Sequence, residues 1–323
     1  MGVSMALQSS AIDSLTGLPV DAAQSLFVRV QWESNWGYCG ETSLIAIGMS
    51  FGQYASQFTV RELASPGIAQ DQESSQLLLG VNGEAAARAM HLTASEYNGS
   101  TAKPGSAQGQ RFFSWIRDRM NTGVRVMLGV YIKGSQDREY DHIVPAVDVV
   151  TSGLKDGGQR VLQDRLFFAD NYGHIQSGTF RDLRRNRRQA NVSSAPPYSI
   201  PAGVGNYALA IRGVADLDRV TIPVVLQASR NNEPVLLDGA LQPPTPEPLA
   251  IRATVLIPDQ NQSYNVYRYD DFREVPETSF NAAAASAVQS WLIPAHSGES
   301  VSFDIDVLTS DTVVFRAVPT TAL

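Results

Sequence analysis

The segment QWESNWGYCGETSLIAIGMS, residues 31–50, holds the chain's single cysteine, Cys39, directly ahead of an apolar run. Leu44, Ile45, Ile47 and Phe51 recur closer to a helical stripe than to strict alternation, so the spacing predicts a helix that begins at Gly40 or Glu41. That places the thiol at a helix N-terminus. An unpaired cysteine commonly packs as a small hydrophobe, but at a helix N-terminus the partial positive charge of the free N–H groups favours the thiolate, the nucleophilic form. The choice between the two roles turns on what the rest of the chain brings to Cys39.

The chain of 323 residues is long enough for two domains. Its 25 basic and 32 acidic residues give a net charge of −7, which argues against nucleic acid or an anionic membrane surface as the main partner. A lone cysteine rules out an intramolecular disulfide. No apolar run reaches the roughly 18 residues of a membrane span, and MGVSMALQSSAIDSLTGLPV at the N-terminus has no basic start followed by an apolar core. The expectation is a soluble chain without an export leader and without membrane insertion.

Helical patterns recur at 59–65, 83–92 (GEAAARAMHL) and 108–121 (QGQRFFSWIRDRMN), the last stopped by Thr122-Gly123. Beyond Gly123 the chain turns to strand patterns: VRVMLGVYIK (124–133), HIVPAVDVV (142–150), RVLQDRLFFAD (160–170) and NYALAIRGV (206–214). The turn cluster TSGLKDGGQ makes the second and third of these a hairpin. Helices followed by an antiparallel sheet give an α+β order. From about 216 the chain alternates as strands, with Val301, Phe303, Ile305 and Val307 on one face against Ser302, Asp304 and Asp306 on the other, the pattern of a β-sandwich. The proline-rich LQPPTPEPL (241–249) lies inside this region and reads as a stiff loop, so the domains are expected at 1–215 and 216–323.

A catalytic thiol needs a base, and four histidines are available. His91 closes the 83–92 helix, where a histidine suits the dipole; His296 sits in a loop of the β region; His174 follows a turn and remains a rival. His142 opens an apolar strand, so its backbone is held by a sheet while its ring lies at the sheet's end. Counting inward from both ends of the hairpin turn brings FADNYG, with Asp170 and Asn171, beside His142. A carboxylate or amide there would orient the ring and stabilise its charged form.

The order YCG before a helix, HIVPAVDV opening a strand and FADNYG closing the next resembles papain-like cysteine peptidases. CGETSL followed by GVRVMLGVY, DHIVPAVDV and FADNYG is closest to the branch that processes bacteriocin leaders, the C39-like peptidases, over residues 28 to 175. The resemblance implies a papain-like α+β catalytic domain, ahead of an all-β sandwich domain to which it does not extend. It also implies a cysteine peptidase with a peptide or protein substrate and no metal or other cofactor. Carried over by position, it makes Cys39 the nucleophile, His142 the base and then the acid, and Asp170 the orienter, with Asn171 as the alternative orienter. Tyr172 takes the place of the tryptophan that shields the pair. The oxyanion-hole amide falls to Gln31, two positions further from the cysteine than the family spacing, or to Asn35. Other thiol acyl transfers, such as amide hydrolysis or transglutamination, use the same constellation, and a catalytically inactive peptidase-like binding protein is the alternative outside enzymes.

Three further features compete for attention. GMSFG (48–52) matches the Gly-x-Ser-x-Gly nucleophile elbow, but that motif needs a strand before the serine, and Ser50 is expected mid-helix. RDLRRNRRQ (181–189) reads as a solvated face, with an anion-binding patch as the sharper alternative. The tyrosines of SYNVYRYDDF and Trp291 suit either core packing or a binding platform.

Overall fold

The structure, a computed structural model, describes residues 37–98, 106–136, 140–150, 164–179, 183–184, 186–202, 206–228 and 245–322. Helix α1 (Cys39–Met49) begins at the cysteine itself, and every residue from Gly40 to Met49 is buried. A helix that is apolar all round belongs in an interior. Its few polar side chains are paired there: Thr42 Oγ1 donates to Gln57 Oε1 at 2.9 Å, and Ser43 Oγ lies 2.8 Å from the Cys39 carbonyl and 3.0 Å from that of Ile143.

Helix α2 (Gln57–Ala64) is capped by Ser56, whose Oγ accepts from the Thr59 N–H at 2.9 Å. Helices α3 (Gly83–Ala89) and α4 (Ser106–Met120) follow, and Gly123 at φ +79 supplies the left-handed stop after α4. The helix expected over 83–92 ends early, because residues 92–98 form strand β2 (Leu92–Asn98) instead. His91, at φ +53 in the turn between them, does not serve the helix dipole. Its Nδ1 lies 2.7 Å from Glu277 Oε1 and its Nε2 2.8 Å from the Phe272 carbonyl, joining this turn to the C-terminal region.

The larger sheet contains β2, β3 (Arg125–Ile132), β4 (His142–Val150), β5 (Arg165–Ala169), β6 (Ile175–Thr179) and β8 (Tyr207–Val214) in the order β2-β8-β3-β4-β5-β6, with β7 (Tyr198–Ser199) pairing to β3. All these pairings are antiparallel, and β4 and β5 form the expected hairpin, with Val150 opposite Arg165 and Ala146 opposite Phe168. Pro145 sits in the middle of β4, beside a register shift between Ala146 and Asp148, the kind of irregularity at which a strand tolerates proline. Alternate residues face opposite ways. Met127, Ile143, Leu209 and Ile211 pack toward α1, while Val126, Leu128, Val144 and Ala210 pack under Phe112, Phe113 and Ile116 of α4.

Beyond residue 216, β9 (Val224–Ala228), β10 (Pro248–Leu256) and β13 (Ser300–Leu308) form one sheet; β11 (Tyr264–Tyr269), β12 (Gln289–Ile293) and β14 (Val313–Pro319) form another. Trp291 joins the two sheets, its ring 5.0 Å from Phe303 and 5.8 Å from Phe315. Tyr264, Tyr267 and Tyr269 are buried, so these tyrosines are core and not a binding platform. Strand pairing and core also cross position 216: β1 (Gln53–Tyr54) pairs with β14, and one hydrophobic cluster runs from α1 into both C-terminal sheets. The whole is mixed helix and sheet, mostly β, at 22% helical and 38% strand. Among the described residues no helix is long and apolar enough to cross a membrane.

Gly40 fixes how closely α1 approaches its neighbours. A Cβ there would sit 2.5 Å from the Leu77 carbonyl oxygen and 3.1 Å from Ile143 Cδ1. Gly40→Ala is therefore expected to destabilise the fold by about 1–3 kcal/mol, read as a lower urea midpoint at unchanged slope. An unchanged midpoint would show that the helix has room to shift.

Candidate active site

Cys39 opens α1, and a buried ion pair holds the residues on both sides of it. Glu41 Oε1 accepts from Arg61 Nε at 2.7 Å and from the Leu77 N–H at 3.0 Å, and neither charged side chain has any exposure. Arg61 also donates to the carbonyls of Gly37 and Gln70, and its guanidinium carbon lies 3.5 Å from the centre of the Tyr38 ring. The turn carrying the thiol is thus clamped from Gly37 to Glu41. The sequence reading missed this pair. Its only signal was an acidic residue within an otherwise apolar helix, and its partner lies 20 positions away.

The thiol faces the backbone N–H groups of Ile143 and Gly40, which favour its charged form, but burial outweighs them and pushes it up to about 12. The negative charge of Glu41 acts in the same direction as burial. Cys39 therefore rests as a neutral thiol. The helix N-terminus does not lower it to a resting thiolate, and among the described residues no hydrogen bond joins Cys39 to His142.

His142 opens β4, is 2% exposed and places Nε2 2.7 Å from the backbone carbonyl oxygen of Asp170. A carbonyl only accepts, so Nε2 carries the proton and the neutral ring keeps its lone pair on Nδ1. Burial holds the ring's pKa below the usual 6.5, although Asp170 and Asp141 pull the other way. Tyr172 lies stacked on the ring, 5.4 Å between centres with 10° between planes. Just before the strand, Asp141 pairs with both terminal nitrogens of Arg187, which lies over the Tyr131 ring at 4.4 Å. At least this arginine of the basic run is structural and not a free anion site.

Asp170 acts differently from the expectation. Its Oδ1 accepts from the N–H groups of Tyr172 at 2.9 Å and His174 at 3.0 Å, and its Oδ2 from Gln176 Nε2 at 3.1 Å. The carboxylate is spent on building the turn, and the backbone carbonyl that this turn presents is what holds His142. Asn171, the alternative orienter, does not touch the ring in any hydrogen bond either. From a left-handed backbone at φ +62, its Nδ2 lies 3.2 Å from the Cys39 carbonyl, 3.1 Å from Ser43 Oγ and 2.9 Å from the Ile143 carbonyl.

Gln31 and Asn35 lie outside the described residues. The rival groups are not assembled: His174 and His296 are exposed, and Ser50 lies in the turn after α1, not mid-helix and not between a strand and a helix. Among the described residues no three His, Cys, Asp or Glu side chains cluster as metal ligands. No protein-family model matches the chain, and no curated protein matches its sequence.

The lowered pKa of His142 has a thermodynamic consequence. As pH falls below 6.5 the unfolded chain binds a proton at this residue that the fold resists, so stability drops by up to about 1.4 kcal/mol per pH unit until the folded pKa is reached. The raised pKa of Glu41 acts in the opposite sense but is common to wild type and variant, so it cancels in their difference. Urea unfolding at pH 7 and pH 5 is expected to show a smaller acid-induced loss in His142→Asn than in wild type. Equal losses would mean that the ring ionises freely in the fold.

Proposed function

We propose that this chain is a thiol-dependent acyl-transfer enzyme, most simply a cysteine peptidase of papain-like architecture, with Cys39 as nucleophile and His142 as base. The observation that carries this reading is the His142 Nε2–H bond to the Asp170 carbonyl. It leaves a lone pair on Nδ1 of a buried, neutral ring, on the strand whose next residue, Ile143, turns its N–H toward the Cys39 thiol.

Because the thiol rests protonated, proton transfer accompanies attack. Nδ1 takes the Sγ proton as the sulfur bonds to the substrate carbonyl carbon, and the N–H groups around Cys39 stand near the developing oxyanion. The resulting imidazolium is steadied by the Asp170 carbonyl and returns the proton to the leaving amine, which leaves a thioester. Water, deprotonated by the same nitrogen, attacks the thioester and releases the acid and the thiol. Peptide hydrolysis, amide hydrolysis of other substrates and transfer to an amine differ only in which nucleophile takes the acyl group. The thiol's raised pKa favours one rival, an inactive peptidase-like binding protein in which Cys39 is an ordinary, partly buried residue.

Iodoacetamide labelling of Cys39 across pH separates the two. The enzyme reading predicts a rate that rises through an inflection below pH 6.5, where His142 becomes neutral, and then levels off through neutral pH. His142→Ala should remove the inflection and slow labelling at pH 7 by at least about tenfold. A rate that climbs steadily into the alkaline range and is identical in the variant would leave the binding protein as the reading.

A further inference from the structure

A cavity of about 390 Å³ lies at the other end of α1, walled by the turn after the helix, the end of β8, the loop leading to β9, and β14. The eleven residues of α1 separate it from Cys39 by about 16 Å at 1.5 Å per residue. Three arginines line it, Arg212, Arg219 and Arg316, against one acid, Asp216.

The acid is already committed. Asp216 Oδ1 accepts from the N–H groups of Asp218 at 3.0 Å and Arg219 at 2.8 Å, and Oδ2 from the N–H and hydroxyl of Thr221 at 2.7 and 2.8 Å. Arg212 and Arg219 are exposed, and among the described residues neither forms an ion pair. Arg316 is 1% exposed, yet its terminal nitrogens reach only neutral acceptors: the carbonyls of Phe51 and Phe315, and Gln53 Oε1. Its Nε and the nearby Ser50 Oγ are buried without any hydrogen-bond partner. Burial lowers Arg316 to about 10, which still leaves it charged at neutral pH. Asp216 and Glu277 lend Arg316 part of a counter-charge through space, but among the described residues neither forms an ion pair with it, and a buried guanidinium without a directly paired carboxylate is unfavourable unless something completes the counter-charge.

We propose that this cavity binds a small organic anion, whose carboxylate or phosphate meets Arg212, Arg219 and Arg316. The apolar wall formed by Phe51, Val224 and Phe315 fits a ligand that also carries a hydrocarbon portion. Arginine forks suit both acid groups, since either offers two oxygens in one plane. The site stands on observations separate from those at Cys39 and holds whether or not the thiol is catalytic.

Calorimetric titration of the full chain at low ionic strength tests it, with octanoate, octanol and inorganic phosphate as probes. Octanoate should saturate at one per chain with a Kd below about 1 mM, and octanol and phosphate should each bind at least about tenfold more weakly. Arg212→Gln combined with Arg219→Asn, which keeps a residue tolerant of φ +57 at 219, should raise the octanoate Kd at least about tenfold. High salt should weaken octanoate binding to the wild-type chain, a readout that needs no variant. No saturation by about 10 mM octanoate would overturn the proposal. So would octanol or phosphate binding as tightly as octanoate, or octanoate affinity indifferent to both salt and the two substitutions.

Discussion

The amide of Asn171 ties together the three segments on which the site depends. Its nitrogen reaches the first residue of α1, a hydroxyl one turn further on, and the second residue of β4, all from a backbone position that only a few residue types adopt comfortably. Helix, strand and hairpin end therefore share one buried polar junction. The backbone of Ile143 is its centre: the carbonyl accepts from Asn171 and Ser43, while the N–H of the same residue faces the thiol. Displacing any one of these elements would leave buried oxygen or nitrogen unpaired, which is far more costly than losing an exposed hydrogen bond.

The same burial that makes the junction rigid sets the charge state of the site. A separated thiolate and imidazolium would have to exist where little water is available, beside the buried carboxylate of Glu41. Both Cys39 and His142 are accordingly held in their neutral forms. The Glu41–Arg61 pair limits the field of that carboxylate and fixes the turn at Gly37 and Tyr38, so its role is positional and electrostatic together. The acyl transfer we propose would therefore move a proton during attack and would not store a charged nucleophile.

Much of this arrangement was legible in the sequence. The apolar run after Cys39 announced α1, and the alternation of HIVPAVDVV with the turn cluster beyond it was enough to bring residues 142 and 170 together. What strand counting does not resolve is which atom of residue 170 faces the ring. Side-chain and backbone oxygens lie a few ångströms apart, and the choice was made by the N–H groups of Tyr172 and His174 drawing the carboxylate away. Contacts across long separations were also invisible, among them β1 with β14, His91 with Glu277 and Arg316 beside Phe51. Strand β2 escaped because LTASEYN carries no clear period, and its pairing with β8, more than a hundred positions away, decides its conformation.

The chemistry proposed for Cys39 depends on the tautomer of one ring, His142. Long-range proton–nitrogen correlation NMR of the chain labelled with ¹⁵N at histidine, assigned by comparison with His142→Asn, reads that state directly. At pH 7 His142 is predicted to show a protonated Nε2 and an unprotonated Nδ1. A proton on Nδ1, alone or as part of an imidazolium, would mean that the Asp170 carbonyl does not hold the ring and that Nδ1 is not available as the base.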